Sequence, residues 1–304
     1  MPKHEAPESF RKIFSDENEH RTFAKVFDYS TIHTVHSMAK QGHFDVLEFL
    51  ISVGKEAHVF RAHDQNGEFR AVKIYKTDTS EFHHMTKYIE GDIRFGKMKK
   101  DKHQLVYTWT KKEFKNLELA ARAGVRSPLP IAFKNNVLVM EFIGDENGNP
   151  SPPLQKKPAQ NANAFFEEVL VQTARLYQAG LVHADLSEYN ILNQNEKPVL
   201  IDVGQSVLLS HPSAAEFFER DIEHVVNYFR RKGVVTDAES AKEKIRTLLK
   251  EFKPKQSPKK PVQRTPGQRK NARSKPRTQK SKKRTSLKPR NPKPKKSAHA
   301  SKTK

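Results

Sequence analysis

The sequence predicts an α+β fold of two lobes, in which a small β-rich lobe precedes a short helical lobe. Strand-like stretches dominate residues 46–75, whereas apolar residues at helical spacing dominate residues 164–252. Strands and helices that are segregated along the chain favour this class over an alternating architecture. A third observation is a change of composition at residue 253. The predicted divisions are a helical extension over 1–45, the β-rich lobe over 46–143, the helical lobe over 144–252 and a disordered basic tail over 253–304.

The β-rich lobe is preceded by residues 18–41, whose apolar positions recur at helical spacing and predict one or two short helices. Three strands are predicted next, and the Asn66-Gly67 turn before the third is a strong hairpin signal. The apolar run from Val137 to Phe142 predicts a fourth, buried strand. The first three predicted strands lie at residues 49–53, 57–62 and 69–75.

A long connection separates the third predicted strand from the fourth. Residues 76–107 are polar, charged and poorly periodic, which predicts a flexible loop with room for a short helix. Thr110 and Glu113 have the spacing of a capping box. A helix is therefore predicted to begin there and to end at Gly124.

Three helices and one short strand are predicted for the helical lobe. The first helix runs from Ala164 to Ala179, and a strand follows at residues 199–201. The last two helices carry apolar residues every three or four positions, and the second is capped by Thr236 and Glu239. Those apolar positions are Phe218, Ile222, Val225 and Phe229 in one helix, and Ala238, Ala241, Ile245, Leu248 and Phe252 in the other.

The excess basic charge lies entirely in the tail. Residues 253–304 contain 21 Lys and Arg, eight Pro and no Asp or Glu, whereas the first 252 residues balance 35 basic against 35 acidic side chains. Such a tail cannot bury enough apolar surface to become ordered by itself. Its cations suit sequence-independent contact with RNA phosphates, and a tail that only improves solubility is the alternative.

The remaining composition excludes several classes of protein. Cysteine is absent, which rules out disulfides and thiolate metal sites and fits a reducing compartment. No apolar run approaches ~18 residues, so no membrane span is predicted. The first ten residues lack the apolar stretch of a secretory signal. A soluble, cytoplasmic protein is expected.

The strongest chemical signal is H-x-D-x-x-x-x-N at residues 183–190, followed by D-x-G at residues 202–204. Kinase-like folds use this pair of motifs. Phosphoryl transfer needs Mg²⁺ to neutralise the triphosphate and a carboxylate to orient the attacking hydroxyl and to take its proton. Asp185 is therefore the predicted base, and Asn190 and Asp202 are the predicted oxygen ligands of Mg²⁺.

A second signal lies in the β-rich lobe. Residues 52–59 match the kinase loop G-x-G-x-x-G-x-V, with Ser52 and Ala57 in the outer glycine places. Ser52, Gly54 and Lys55 are the predicted contacts to the ATP phosphates, although no Walker A motif is present. Lys73 lies in an apolar strand, where its charge needs the phosphates and a carboxylate as partners.

Two further assignments complete the predicted nucleotide site. Glu113 is the predicted ion-pair partner of Lys73. Glu118 is the alternative, because a capping box already gives Glu113 another role. At the end of the fourth predicted strand, the carbonyl of Glu141 and the amide of Ile143 are expected to bind adenine through backbone groups.

These blocks together resemble the RIO family of atypical protein kinases, particularly its first subfamily. The similarity spans residues 23–252 and is carried by SVGKEAHVF, AVKIYK, TWTKKEF, NNVLVMEFIG, LVHADLSEYN and LIDVGQS. The resemblance implies a reduced bilobal protein-kinase-like fold with ATP and Mg²⁺ as cofactors. It also implies that Asp202 accepts the phosphoryl group as an aspartyl-phosphate. Residues 76–107 would be the flexible loop of the family, with autophosphorylation at Thr77, Thr79, Ser80 or Thr86.

The chain also departs from ordinary protein kinases in two places. Ala184 replaces the Arg of H-R-D, and only 48 residues separate Gly204 from the tail, with no A-P-E motif. The segments that grip a peptide substrate in ordinary kinases are therefore missing. This reduction, which RIO proteins share, leaves either a protein or water as the phosphoryl acceptor.

The function expected from these features is that of a RIO-like serine/threonine kinase or ATPase. The resemblance implies a role in maturation of the small ribosomal subunit, with the tail bound to rRNA or the pre-ribosomal particle and with an unknown protein acceptor. A nucleotide-gated RNA-binding or ribosome-binding factor is one alternative. A small-molecule phosphotransferase is another, but such enzymes have larger helical lobes than the chain after Asp202 provides.

Overall fold

The computed structural model describes residues 27–78, 82–96 and 101–252. The predictions for residues 18–26 and for the tail 253–304 lie outside these ranges. In the described part of the extension, helix α1 (Tyr29–Lys40) begins after its N-cap Asp28, whose side chain accepts a hydrogen bond from the backbone N–H of Thr31 at 2.7 Å. Of the one or two short helices predicted over residues 18–41, α1 is the one within the described residues.

Five antiparallel strands form the sheet of the first lobe, in the order β1-β2-β3-β5-β4. Four of them agree with predicted strands to within three residues, and β4 was not predicted because Pro128 before it and Pro130 at its start are typical of a chain break. Pro130 is tolerated because it is the first residue of a strand at the edge of the sheet. The strands are β1 (Val46–Val53), β2 (Ala57–His63), β3 (Phe69–Tyr75), β4 (Pro130–Lys134) and β5 (Val137–Glu141).

Helix α1 covers one face of this sheet. Val35 and Met38 of α1 pack with Val72 of β3 and Val139 of β5 in one buried cluster. Successive side chains of a strand point to opposite faces. Because Val72 faces α1, its neighbour Lys73 faces the other side of the sheet, towards the second lobe.

The connection between β3 and β4 differs from the prediction. Residues 82–89 form helix α2 (Phe82–Ile89), and helix α3 (Lys102–Arg122) begins eight residues before Thr110. The predicted loop over 76–107 left room for a short helix, which α2 provides, but the loop is wrong over residues 102–107, where α3 has already begun. The cap is Asp101, whose side chain accepts from the Gln104 backbone N–H at 2.8 Å, whereas Thr110 donates its hydroxyl to the Val106 carbonyl within the helix.

The second lobe is built from three helices around an apolar core that includes Phe166, Leu170, Ile222 and Phe229. Two pairs of short strands join the helices to the motif loops. One pair, β6 and β9, aligns Leu181 with Leu208, and the other, β7 and β8, forms a hairpin. The elements are α4 (Ala162–Gln178), β6 (Leu181–Val182), β7 (Ile191–Gln194), β8 (Lys197–Leu200), β9 (Val207–Leu208), α5 (Ala214–Arg231) and α6 (Ala238–Glu251).

These strand pairs bring the two predicted motifs together. Residues 183–190 form the loop between β6 and β7, and residues 201–206 form the loop between β8 and β9. Because β6 pairs with β9 and β7 pairs with β8, both loops emerge at the same end of the lobe. Among the helices of the described residues, none combines the length and apolar character required to cross a membrane.

Candidate active site

A cleft of about 600 Å³ lies between the sheet and the helical lobe. The structure brings nearly all of the predicted site residues to its walls. The exception is Asp185, which instead contacts two wall residues, Asn190 and Gln205. The predicted residues that line the cleft are Ser52, Gly54, Lys55, Lys73, Glu113, Glu141, Ile143, Asn190 and Asp202.

Lys73 joins three elements at the centre of the cleft. Its Nζ lies 2.9 Å from Oε1 of Glu113 on α3 and 2.9 Å from Oδ1 of Asp202 in the β8–β9 loop. The alternative partner, Glu118, pairs with Lys115 instead. Glu113 is buried, whereas the Asp202 side chain is 46% exposed. The structure thus pairs Lys73 with Glu113 and leaves the Asp202 carboxylate open to the cleft.

Lys73 and the two carboxylates shift one another's pKa values. Burial disfavours the ammonium of Lys73, but the carboxylates of Asp202 and Glu113 outweigh burial and raise its pKa well above the ordinary value. Burial also acts against ionised Asp202, yet Lys73 lowers the pKa of this carboxyl overall. Burial raises the pKa of Glu113, and Lys73 only partly offsets this effect. Tyr75, which donates its hydroxyl to Glu113 Oε2, holds the second oxygen of that carboxylate.

The loop that carries Asp185 has a strained start. Ala184 has a φ of 67°, a left-handed conformation that is uncommon for a residue with a Cβ. Asp221 of α5 stabilises it, because its carboxylate accepts from the backbone N–H groups of Ala184 at 2.7 Å and Leu186 at 2.9 Å. At the end of the loop, Asn190 donates its side-chain amide to Asp185 Oδ2 at 2.9 Å and to the Asp185 carbonyl at 2.8 Å.

The environment of Asp185 favours a carboxylate that can take up a proton. Burial raises its pKa above the ordinary value, and the nearby charge of Asp202 adds to this effect. His183, the amide of Asn190 and Arg220 act in the opposite direction without reversing it. A raised pKa increases the basicity of the carboxylate, as its predicted role requires.

The loop after Asp202 is held by α3. Lys112 donates its Nζ to the carbonyls of Gly204 at 2.7 Å and Ser206 at 2.5 Å. Asn116 donates its amide to the carbonyls of Val203 and Ser206 at 2.8 and 2.9 Å. Sequence analysis missed both residues, together with Asp221 and Gln205. The signal that could have found Lys112 is a lysine on the apolar face of a helix, one turn from Trp109.

The predicted phosphate loop joins β1 to β2 and is exposed from Ser52 to Lys55. The backbone N–H of Gly54 donates to the Ala57 carbonyl at 2.8 Å, and Lys76 Nζ donates to the Gly54 carbonyl at 2.9 Å. A Cβ at Gly54 would lie 3.0 Å from that Ala57 carbonyl oxygen, which explains glycine in this tight turn.

The predicted adenine-binding segment begins at the end of β5. Both carboxylate oxygens of Glu141 lie 3.0 Å from the guanidinium of Arg126 in a bidentate pair. Ile143 is buried, and its carbonyl accepts from the backbone N–H of Ser151 at 3.0 Å. Because Arg126 engages the Glu141 side chain, only backbone groups of this segment are left as candidates for adenine, and their role stays a prediction.

The donor groups of the cleft fit Mg²⁺. Asp202 presents an exposed carboxylate, and among the described residues none donates a hydrogen bond to Oδ1 of Asn190. Both are hard oxygen donors, and Mg²⁺ in nucleotide sites is commonly held by one or two such side chains together with phosphates. The arrangement therefore matches that of a protein-kinase-like phosphotransferase, with a lysine–glutamate pair in one lobe and the acidic motifs in the other.

Comparison with known proteins places this arrangement in a family. The RIO domain family matches residues 58–242, which is more than half of the chain. RIO-type serine/threonine-protein kinase Rio1 of Haloferax volcanii is 43% identical over 233 residues, covering 77% of this chain and 80% of that protein. Rio1 of Thermoplasma acidophilum is 43% identical over 188 residues, covering 62% of this chain and 98% of its own. The chain belongs to the RIO family.

Solved structures support the same fold. The Rio2 kinase of Chaetomium thermophilum matches with a TM-score of 0.56 and 22% identity, over 76% of each chain. Its ADP/Mg²⁺–phosphoaspartate complex matches with a TM-score of 0.55 and 23% identity, over 72% of this chain and 66% of that one. The predictions of a RIO family member, of a bilobal kinase-like fold and of a kinase enzyme are therefore confirmed.

Proposed function

We propose that the chain is a RIO-type serine/threonine kinase that uses ATP and Mg²⁺, with ATP hydrolysis as a second outcome of the same site. The observation that supports this most strongly is the Lys73–Glu113–Asp202 triad, with 2.9 Å contacts, in the cleft that Asn190 also lines. In kinase-like enzymes these groups bind the phosphates and the metal.

The side chains of the cleft share the tasks of the proposed reaction. Lys73, fixed by Glu113, binds the ATP phosphates, and the backbone of residues 52–55 covers them. Mg²⁺, when bound to Asp202 and Asn190, supplies neutralising charge for the triphosphate. Asp185 orients the acceptor hydroxyl and receives its proton, while the amide of Asn190, which donates to Asp185, holds that carboxylate in place.

Asp202 is also a candidate phosphoryl acceptor. Its carboxylate is exposed to the cleft, and the Chaetomium Rio2 kinase, a relative in fold, is known as a phosphoaspartate complex. In this step the bond from the γ-phosphorus to the β–γ bridging oxygen breaks, a bond to Asp202 Oδ forms, and ADP leaves. In a second step, water attacks the phosphorus of this aspartyl-phosphate and its proton passes to Asp185. Phosphate is then released and the Asp202 carboxylate is restored.

The cellular role that we propose is in maturation of the small ribosomal subunit in the cytoplasm. The support is the RIO family membership and the basic composition of residues 253–304, which suits contact with rRNA phosphates. The competing function, a nucleotide-gated RNA-binding factor with little kinase activity, uses the same cleft and the same tail. The two functions differ in whether phosphate reaches a protein hydroxyl.

An experiment with ATP labelled at the γ-phosphate tests the proposal. The full chain is incubated with Mg²⁺, with and without pre-ribosomal particles, and free phosphate is compared with labelled protein. We expect Mg²⁺-dependent turnover, with a hydroxylamine-labile label on the enzyme that Asp202→Asn removes and a hydroxylamine-resistant, acid-stable label on Ser or Thr of the acceptor. Folded protein that neither hydrolyses ATP nor transfers phosphate would overturn the proposed function.

A further inference from the structure

Lys112 is a fully buried lysine that the proposed reaction does not use. Its Nζ donates to two backbone carbonyls of the β8–β9 loop, Gly204 at 2.7 Å and Ser206 at 2.5 Å, and lies 5.4 Å from the centroid of the Trp109 ring. Among the described residues, no carboxylate lies within ion-pair distance of it. The opposite charge with the largest effect on its pKa is that of Asp92, which is itself paired with Arg94.

Keeping Lys112 charged at this buried position costs free energy. Burial lowers the pKa of Lys112 to about 7, with the Arg94 charge acting in the same direction and Asp92 opposing it. An apolar side chain of similar volume would avoid this cost. Packing alone therefore does not explain a lysine at this position, and its contacts with the loop carbonyls are what distinguishes it from methionine.

The loop that Lys112 holds begins with Asp202. Asp202 has a φ of 59°, a left-handed conformation that turns the chain sharply after β8. Two residues later, Gly204 lies so close to the Trp109 indole that an added Cβ would be 3.2 Å from Nε1. The turn therefore needs support from outside the loop, and α3 provides it.

One face of α3 makes all of these contacts. Trp109, Lys112, Glu113 and Asn116 recur at helical spacing and are buried. Glu113 fixes Lys73, Trp109 packs on Gly204, and Lys112 and Asn116 bind the carbonyls of residues 203–206. The position of the metal-binding loop is thus set by the same helix that sets the position of Lys73.

We propose that Lys112 is a positioning residue for the metal: by holding the Gly204 and Ser206 carbonyls, it fixes Asp202 in the orientation that binds Mg²⁺ with the nucleotide. This inference rests on the proposed function, because it needs Asp202 to be a metal ligand. Lys112 does not touch the nucleotide. Its removal affects the gain in affinity that Mg²⁺ provides and leaves recognition of the nucleoside unchanged.

The test compares Lys112→Met with Lys111→Met, which removes an exposed lysine from the neighbouring position. Calorimetry measures the affinity of the full chain for adenosine, for ADP alone and for ADP with Mg²⁺. The fluorescence of Trp109, the single tryptophan of the chain, reports whether the nucleotide changes the contact with Gly204. Circular dichroism checks that each variant is folded.

We expect the gain in ADP affinity from Mg²⁺ to fall about ten- to hundred-fold in Lys112→Met, the range for loss of hydrogen bonds from a charged group. The affinity for adenosine should stay at the wild-type value, and Lys111→Met should match the wild type throughout. A Lys112→Met protein that keeps the full Mg²⁺ gain, or one that loses adenosine binding equally, would overturn the inference.

Two controls separate this outcome from other failures. A wild-type chain whose ADP affinity does not respond to Mg²⁺ contradicts the proposed function rather than the role of Lys112. If Lys112→Met does not fold, Asn116→Ala decides, because it removes donors to the carbonyls of the same loop without a buried charge. The same loss of the Mg²⁺ gain is expected there, and an unchanged gain counts against the inference.

Discussion

The two loops that face the cleft from opposite lobes are held in different ways. Residues 203–206, after Asp202, are mostly buried, and α3 binds three of their carbonyls through Lys112 and Asn116. The phosphate loop is exposed over four consecutive residues, 52–55. Ser52 and Val53 pair with β2, and Gly54 is held by its turn hydrogen bond to Ala57 and by Lys76. We therefore infer that α3 fixes the position of Asp202, the proposed metal ligand, whereas the exposed turn at residues 54–55 has more freedom to adjust to a nucleotide.

The largest effect should come from substitution of Asp185, the proposed base in the second lobe. Asp185→Ala removes the proposed base, the carboxylate that would orient the acceptor and take its proton, so kcat should fall by ~10² to 10⁴. The measurement is steady-state release of phosphate and labelling of protein with saturating Mg²⁺ and ATP. Glu146→Gln, an exposed carboxylate outside the cleft, is the control and should keep the wild-type rate. Unchanged turnover in Asp185→Ala would refute the assignment of the base.

Lys73→Met should have the next largest effect, a decrease of about ten- to hundred-fold in kcat/KM for ATP. The substitution leaves Glu113 buried without its cation and removes the charge that lowers the pKa of Asp202. Lys76→Met is the comparison on the phosphate-loop side, where the ammonium donates to the Gly54 carbonyl. A larger loss of kcat/KM in Lys76→Met than in Lys73→Met would contradict the greater importance that we assign to Lys73.

A glycine in each loop gives a matched pair of substitutions. Gly204→Ala places a Cβ against buried Trp109, which cannot move away, so it should lower the free energy of unfolding by about 1–3 kcal/mol. Gly54→Ala meets the Ala57 carbonyl in an exposed turn that can adjust, so its cost should be smaller. Urea titration followed by Trp109 fluorescence measures both. Equal costs would remove the distinction between a rigid loop and an adaptable one.

The smallest effect is expected from substitution of Glu118, a glutamate of α3 that lies away from both loops. Glu118 pairs with Lys115 on a partly exposed face, so Glu118→Gln should change the free energy of unfolding by less than about 0.5 kcal/mol. Its kcat/KM for ATP should equal that of the wild type. Glu113→Gln on the inner face should reduce kcat/KM, and the opposite ranking would assign the wrong glutamate to Lys73.

The sequence predicts the candidate site residues better than it predicts the residues that hold them in position. Asp185, Asn190 and Asp202 stand in linear motifs, so their spacing alone predicts a shared site. Asp221 and Lys112 act through backbone groups that are distant in sequence, such as Ala184 and Gly204, and no local pattern reveals such partners.

Secondary structure could be predicted where the periodicity is long. Strand β3 and the helices of the second lobe follow from their apolar spacing, whereas β6 and β9 have two residues each and exist only because they pair with each other. The predicted start of α3 was wrong because Thr110 and Glu113 have the spacing of a capping box without forming one. Their side chains are instead satisfied inside the protein, by the Val106 carbonyl and by Lys73.

The most direct test of the central claim is a crystal structure of the full chain with ADP and Mg²⁺. The account predicts phosphates beside Lys73, and one Mg²⁺ at about 2.1 Å from oxygens of Asp202 and Asn190. Nucleotide bound outside the cleft, or a metal ion held by side chains other than these two, would contradict it.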